Sequence, residues 1–371
     1  MKGPGSKLRQ KFSLVPAVLS VIISFAGSTA AHDEKKDDKP SEKIERSTPA
    51  NPQASITLCV MSGTLTVRGW DKNEVRARST DADQLDFRRV DKVKDPSTPP
   101  SRIDVMVVDK HTPKGDCQAF ADVELDVPKE ATVQVQTRDG GILITGVAGA
   151  YAGSQNGDIT IERASRLVEA GSVGGSISLK DSTGRINLSS AGGGVEVDNV
   201  RPVTPDDTIE VGTVSGDIQL DRVSNSKVIA KTVNGTVTMR GPLARAGYYG
   251  FTSMGGDVVL MMPRDASFRL NALISEKSDI VSDFPLKYVP HPPAVPVPKV
   301  NPAPQPAPRD SKGKADAKGK TDPKTAPVIT PIVVVKPVIV NPFKRINAIC
   351  GSGDATISLS SFGGTLHLKR M

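Results

Sequence analysis

The chain has 371 residues, a formal net charge of +7, and 37% hydrophobic but only 4% aromatic residues. This length allows one large domain or two ordinary ones, and so few aromatic side chains favour a narrow core filled by Val, Ile and Leu over an ordinary globular core. The excess positive charge lies in residues 1–31 and 286–345, and the rest of the chain is mildly acidic, which excludes a basic nucleic-acid-binding face on the fold.

The N-terminal segment has the pattern of an export signal. Basic residues within 2–11 precede an apolar run at 12–25, and small residues continue to Ala31. We therefore predict a signal peptide at 1–31 and an extracytoplasmic protein that is periplasmic, exposed on the cell surface or secreted. The alternative is an uncleaved N-terminal anchor, although the apolar run is short for a bilayer span.

Patterning divides the remaining chain into five segments. Residues 32–52 are charged and contain proline, which predicts a disordered spacer. Residues 53–137 alternate aliphatic and polar side chains and predict an N-terminal region of β-strands. Residues 138–289 carry short glycine repeats. Residues 290–343 form a Pro- and Lys-rich insert that we expect to be disordered, and residues 344–371 return to the repeat as closing solenoid strands.

The repeat is a glycine followed by aliphatic residues two and four positions later. It occurs ten times, where chance predicts about two copies, and a looser copy stands at Gly353. The ten marker glycines are Gly63, Gly140, Gly157, Gly175, Gly184, Gly193, Gly216, Gly235, Gly256 and Gly364. Their spacing predicts coils of about 18–20 residues with two strands each, in which glycine gives the backbone freedom for a corner. Because one coil cannot bury enough apolar surface alone, the coils must stack. The predicted fold is all-β, a single-stranded parallel β-solenoid with an N-terminal β-rich cap region.

The sequence offers no constellation typical of catalysis, a cofactor or a metal site. None of the four histidines stands at triad or metal-ligand spacing. Aspartates follow several marker glycines, at Asp158, Asp217, Asp257 and Asp354. One interpretation is a ladder for calcium binding or acid chemistry on sugars, and the other, which we favour, is a set of exposed turn formers. We predict a protein that is not an enzyme.

Two small groups of residues are candidates for specific contacts. Tyr248, Tyr249 and Phe251 cluster between two coils, where they either contact a ligand such as a sugar or fill the core. Cys59 and Cys117 lie on neighbouring predicted strands in an exported chain, so they either form a disulfide or remain buried thiols.

Four segments together resemble a known family. They are GTLTVRGWDKNEV (63–75), ELDVPKEATVQVQTRDGGILITG (124–146), GGDVVLMMP (255–263) and GSGDATISLSSFGGTLHL (351–368). Their order is similar to that of a bacterial family of candidate adhesins with β-strand repeats, classed as a domain of unknown function. The resemblance covers about residues 53–289 and 344–371, and the Pro-rich insert departs from it. It implies an exported β-solenoid with an adhesin-like role, and it supplies no catalytic residues.

These observations predict a cell-envelope or surface protein that binds or scaffolds through the faces of its solenoid. The expected partner is an envelope glycan or protein rather than a nucleic acid. The basic insert is either a solvated spacer or a contact to peripheral membrane or anionic polymers. Two alternatives remain, namely a carbohydrate-active enzyme (a polysaccharide lyase or hydrolase on a β-helix) and a sensor or regulator of envelope stress.

Overall fold

The computed structural model describes residues 43–371 except 93, 94, 96, 110–116, 277 and 291–342. The described residues fall in one compact unit. Their regular secondary structure consists of β-strands, and these residues contain no helix. No helix in this part of the chain is long and apolar enough to cross a membrane. The predicted signal peptide and residues 291–342 of the predicted insert lie outside the described residues.

Fourteen strands between Thr132 and Met262 form the central repeat. They are β8 (Thr132–Asp139), β9 (Ile142–Thr145), β10 (Gly149–Ser154), β11 (Ile159–Glu162), β12 (Leu167–Ser172), β13 (Ile177–Lys180), β14 (Arg185–Ser190), β15 (Val195–Val200), β16 (Thr208–Ser215), β17 (Ile218–Val223), β18 (Lys227–Asn234), β19 (Val237–Arg240), β20 (Tyr248–Ser253) and β21 (Val258–Met262). The chain visits two sheets alternately. The even-numbered strands lie in what we call sheet 1, and the odd-numbered strands lie in sheet 2.

Neighbouring strands within each sheet are parallel and one coil apart in the sequence. Gly149 pairs with Leu167, which in turn pairs with Arg185, so these coils advance by 18 residues. The next step is longer because a corner loop at 201–207 precedes β16. The structure confirms the predicted all-β parallel solenoid with two strands in each coil.

Alternate side chains of every coil point into the space between the sheets. In sheet 2, Ile159, Ile177, Val195 and Ile218 occupy one inward position in four successive coils, and none is more than 2% exposed. Branched aliphatic side chains suit this position because each packs on its equivalents in the coils above and below. The core is therefore a continuous column of stacked aliphatic side chains.

Seven strands build the N-terminal end. They are β1 (Ile44–Pro49), β2 (Ser55–Ser62), β3 (Leu65–Trp70), β4 (Glu74–Ser79), β5 (Gln84–Arg89), β6 (Arg102–Val108) and β7 (Val123–Pro128). The β2–β3 coil pairs directly with β8 and β9, and the β6–β7 coil lies on its outer side. Strands β5 and β4 then pair antiparallel with β6 and β7, which ends the parallel stack.

Strand β1 corrects the predicted disordered spacer at 32–52 for residues 43–52, and residues 32–42 lie outside the described residues. It pairs antiparallel with β4 along its whole length, and Ala50 beyond it is 1% exposed. Side chains at β1 form ion pairs where an inner strand would bury an apolar face. Glu45 lies 3.8 Å from Arg76, and Lys43 lies 3.4 Å from Glu124. Charged side chains are tolerated on an edge strand because it is solvated on one side.

Six strands build the C-terminal end. They are β22 (Phe268–Ser275), β23 (Ile280–Ser282), β24 (Lys287–Tyr288), β25 (Phe343–Cys350), β26 (Ala355–Ser361) and β27 (Leu366–Arg370). The expectation was that residues 344–371 close this end. Instead, β26 lies between β20 and β22, and β27 lies between β21 and β23. The last coil in sequence is therefore internal, and antiparallel β25 lies outside β22.

The Asp91 carboxylate fastens the segment between β5 and β6, and this contact makes stability depend on acidity. Asp91 accepts hydrogen bonds from Arg89 Nε (2.5 Å) and the Ser101 N–H (2.7 Å), and these lower its pKa to about 2. Because the folded pKa lies below the unfolded value of about 3.9, Asp91 stabilises the fold above that pH and loses this contribution as the pH falls towards 2. We expect the Tm to drop across this range and Asp91→Asn to flatten the drop, with exposed Asp206→Asn as the control. An unchanged acid profile in Asp91→Asn would contradict this assignment.

Candidate binding surface

Marker glycines of successive coils lie directly above one another at the corner from sheet 1 to sheet 2. An ideal Cβ on Gly175 would lie 2.2 Å from the carbonyl oxygen of Gly157, and one on Gly193 would lie 2.3 Å from that of Gly175. None of these three glycines has a left-handed φ. Glycine is therefore needed at these three positions because two backbones approach closely. The predicted corner freedom applies at other marker glycines, since Gly63, Gly140 and Gly184 have φ values of +134°, +145° and +100°.

Buried hydroxyl groups stand three residues before these glycines. Ser172 Oγ accepts the Gly175 N–H (2.9 Å) and donates to the carbonyl of Gly157 in the neighbouring coil (3.1 Å). The same double contact is made by Ser154, Ser190 and Ser253. Because buried backbone polar groups require partners, this hydroxyl ladder completes each corner and joins it to the next coil. The Ser/Thr-x-x-Gly pattern is visible in the sequence, but the sequence analysis missed it.

The aspartates that follow marker glycines have a structural role. The Oδ1 atoms of Asp158, Asp217 and Asp257 accept the N–H groups of Ser176, Thr236 and Thr365 at 2.7–2.8 Å. Each donor is the equivalent residue of the adjacent coil in the register. Asp354 differs, since its Oδ1 accepts a hydrogen bond from Ser352 Oγ (2.8 Å). Among the described residues, no group of three or more His, Cys, Asp or Glu side chains is placed to hold a metal ion.

The aromatic cluster divides between core and surface. Tyr249 and Phe251 point inward from β20 and are 0% and 1% exposed, whereas Tyr248 is 42% exposed. The Tyr249 hydroxyl accepts the Ala244 N–H (2.7 Å) and donates to the Asn225 carbonyl (3.3 Å), and burial raises its pKa. The prediction that Tyr249 and Phe251 contact a ligand is therefore wrong. Alternate residues of a strand face opposite sides, and these two face the core.

Two of the three cysteines form a disulfide, and the third is a free thiol. Cys59 and Cys117 are joined as a disulfide with Cα atoms 4.7 Å apart, which ties β2 to the start of the segment before β7. Cys350 is a buried free thiol, and burial raises its pKa. The disulfide lies on the outer side of the N-terminal coils, so it is a covalent brace of the cap and leaves the central coils unconstrained.

A shallow groove crosses the outer face of sheet 1 from β8 to β14. Its floor contains Gly153 and Gly171, and the missing side chains leave a depression of about 280 Å³. Polar side chains and one ring surround that floor, namely Gln134, Gln136, Tyr151, Glu169, Asn187 and Ser189. We call these eight residues the polar groove. Sequence analysis missed it, although glycines at outward positions of neighbouring strands are a readable signal.

On the opposite face, outward charged side chains form ion pairs, although polar residues such as Thr160, Ser178 and Gln219 are as unengaged there as those of the polar groove. On sheet 2, Lys180 lies 3.9 Å from Glu196, and Arg222 Nε donates to Asp198 (2.8 Å), which lowers the pKa of that carboxyl. Within the described residues, by contrast, no hydrogen bond or ion pair engages the side chains of the polar groove. It therefore presents amides, a hydroxyl, a carboxylate and a phenol ring to solvent, which are groups capable of hydrogen bonding and ring stacking.

Comparison with known proteins gives one family match. Residues 117–289 match the family model described as Toastrack DUF4097. Two solved structures also align. A "putative cell adhesion protein" from Clostridium sporogenes is 8% identical, with 89% of this chain and 100% of that chain covered and a TM-score of 0.20. A "putative adhesin" from Parabacteroides merdae is 9% identical, with 60% of this chain and 90% of that chain covered and a TM-score of 0.37. At these scores neither likeness bears on fold or function. No curated protein matches the sequence.

Proposed function

We propose that this protein is a non-enzymatic, exported envelope or surface protein that binds an extended polymer through the polar groove. The match of residues 117–289 to the Toastrack DUF4097 family model agrees with the β-repeat fold in which that groove lies. The observation that carries the proposal is the concentration of unengaged polar side chains above a glycine floor. Export is supported by the basic, apolar and small-residue pattern at 1–31.

The spacing of the coils favours a repetitive ligand. Parallel strands stand about 4.8 Å apart, so Gln134, Tyr151, Glu169 and Asn187 form a column in which each coil offers one polar group or ring. Such a column suits a polymer whose units repeat along the solenoid axis, such as a hydroxyl-rich glycan. Binding is favoured over catalysis because the aspartates of sheet 2 are engaged by backbone N–H groups.

The test is a binding assay with the protein lacking residues 1–31, using peptidoglycan, chitin and β-glucan as separate probes. We expect at least one probe to bind, and we expect Tyr151→Ala and Gly171→Arg to weaken that binding about tenfold, since a tyrosine anchor contributes at least about 1.4 kcal/mol. The matched control is Gln219→Ala on the outer face of sheet 2, which should bind like the parent.

Three results would overturn the proposal. The first is that no probe binds, and the second is that groove variants and the control bind alike. The third is release of shortened polymer during incubation, which would support the carbohydrate-active enzyme instead.

A further inference from the structure

A line of positively charged side chains runs along the outer face of sheet 1 from β14 to the C-terminal end. Eight adjacent strands of the sheet contribute one outward residue each, so the line is about 34 Å long. We call these eight residues the basic stripe. In spatial order they are Arg185, Thr208, Lys227, Tyr248, Thr356, Arg269, Ile349 and Lys287.

The charges of the basic stripe are not neutralised by the protein itself. Its four cations are exposed, namely Arg185, Lys227, Arg269 and Lys287. Within the described residues, the last three make no side-chain hydrogen bond or ion pair, and Arg185 has only a through-space interaction with the carboxylate of Asp207. The stripe contains no carboxylate, and the next outward column from β14 to β25 contains only Glu210. This surface therefore attracts anions.

The mild acidity of the folded part of the chain comes largely from the opposite face. Outward carboxylates of sheet 2 include Glu162, Glu196, Asp198 and Asp221. Several of them already have cationic partners, such as Arg222 beside Asp198. A charge count along the sequence averages the two faces, and it therefore does not reveal the basic stripe.

The neutral groups between the cations suit a sugar chain. The hydroxyls of Thr208 and Thr356 can donate and accept hydrogen bonds. The Tyr248 ring is 42% exposed and reaches over Gly250, whose ideal Cβ would lie 3.2 Å from the ring Cε1. A phenol ring in this position is capable of stacking, and an arginine guanidinium binds a carboxylate through two hydrogen bonds. An acidic protein partner would need an apolar centre, for which Ile349 is the sole aliphatic residue of the stripe.

We propose that the basic stripe binds a carboxylate-bearing polysaccharide that lies along the solenoid axis. The cations recur at intervals of about 10 to 14 Å, so a linear polyanion contacts all of them in one orientation. Arg185 and Arg269 hold carboxylates, the two lysines add charge, and Tyr248 stacks on a sugar ring between them. This site occupies a different register column from the polar groove, and it does not depend on the function proposed for that groove.

The test measures binding of polygalacturonate to the protein lacking residues 1–31. We expect Lys227→Glu combined with Arg269→Glu to weaken binding at least about tenfold. The matched control is Arg240→Glu combined with Lys369→Glu, an exposed pair two coils apart on sheet 2, which should bind like the parent. Both double variants keep the Pro- and Lys-rich insert and have the same net charge, so a difference between them belongs to the stripe. The milder pair Lys227→Gln and Arg269→Gln should lose about threefold, which keeps the test decisive if charge reversal disturbs the fold.

A second set of measurements identifies the kind of polyanion. Tyr248→Ala should weaken polygalacturonate binding about threefold and leave polyphosphate binding unchanged. Tyr151→Ala in the polar groove should leave polygalacturonate binding unchanged, so failure at one site is distinguishable from failure at the other. Absence of polygalacturonate binding, or equal losses in the stripe and control variants, would overturn the proposal. Tighter binding of polyphosphate, duplex DNA or phosphatidylglycerol vesicles would also overturn it and would assign the stripe to that polyanion.

Discussion

Alanine at Gly193 is expected to destabilise the protein by about 3 kcal/mol. The added methyl group would lie 2.3 Å from the carbonyl oxygen of Gly175 and 2.6 Å from the Ser176 nitrogen. Both are backbone atoms, so no rotation of a side chain relieves the contact. The coils would have to separate at this corner, which would also break the Ser190 Oγ contact to the Gly175 carbonyl (2.9 Å).

Gly212→Ala is the matched control because Gly212 lies in β16 with ample space around it. The nearest atom to its ideal Cβ is the Lys231 carbonyl oxygen at 4.0 Å, and its φ is not left-handed. Alanine there should be neutral or should stabilise by up to about 1 kcal/mol through the unfolded state. Urea denaturation followed by circular dichroism measures both. Equal free energies of unfolding for the two variants would mean that the corners are not stacked at this distance.

The contrast between Gly193 and Gly212 shows how much of the fold the glycine repeat in the sequence predicts. The period of the marker glycines predicted the length of a coil and its two strands, because corner positions recur at the step of the register. It did not predict the close approach that requires glycine at Gly193. The close approach involves Gly175, a residue of a different coil, and only the stacked structure shows how near its carbonyl lies.

The spatial order of the coils at both ends could not be predicted from the sequence for a related reason. Every coil presents similar aliphatic columns to its neighbours, so the pattern does not specify which coil lies next to which. The β2–β3 coil pairs directly with β8 and β9 although the β6–β7 coil comes between them in the sequence, and β26 lies between β20 and β22. Long-range pairing of nearly equivalent surfaces decides such an order.

Candidate contacts were predictable only where the direction of a side chain could be followed. Tyr248 and Tyr249 are neighbours in sequence, yet one is exposed and the other is buried, because a strand turns successive side chains to opposite faces. The pairing of Tyr249 with Val228 and Ile357 reveals which is which. Tyr151 was not predicted as a contact residue, because the space beside its ring is left by Gly153 and Gly171 and the second of these lies in a different coil.

Replacement of Phe251 by alanine is expected to cost about 3–5 kcal/mol. In the inward column, Phe251 lies between Ala230 of β18 and Leu359 of β26. Because Ala230 is small, the phenyl ring fills space that the neighbouring coil leaves open. The backbones on both sides are held at fixed spacing by parallel hydrogen bonding, so they cannot collapse into the cavity that alanine would leave.

This substitution also separates a core role from a ligand-binding role for the aromatic cluster. Urea denaturation should show the full loss for Phe251→Ala and a change within about 0.5 kcal/mol for Tyr248→Ala, since exposed positions contribute little. Phe251→Leu should recover most of the stability because it restores part of the buried volume. The opposite pattern, a Phe251→Ala variant as stable as the parent, would mean that this ring is not packed between the coils. Hydrogen exchange adds a spatial readout, because loss of this ring should lower protection first in β20 and β26, the two strands that its side chain holds together.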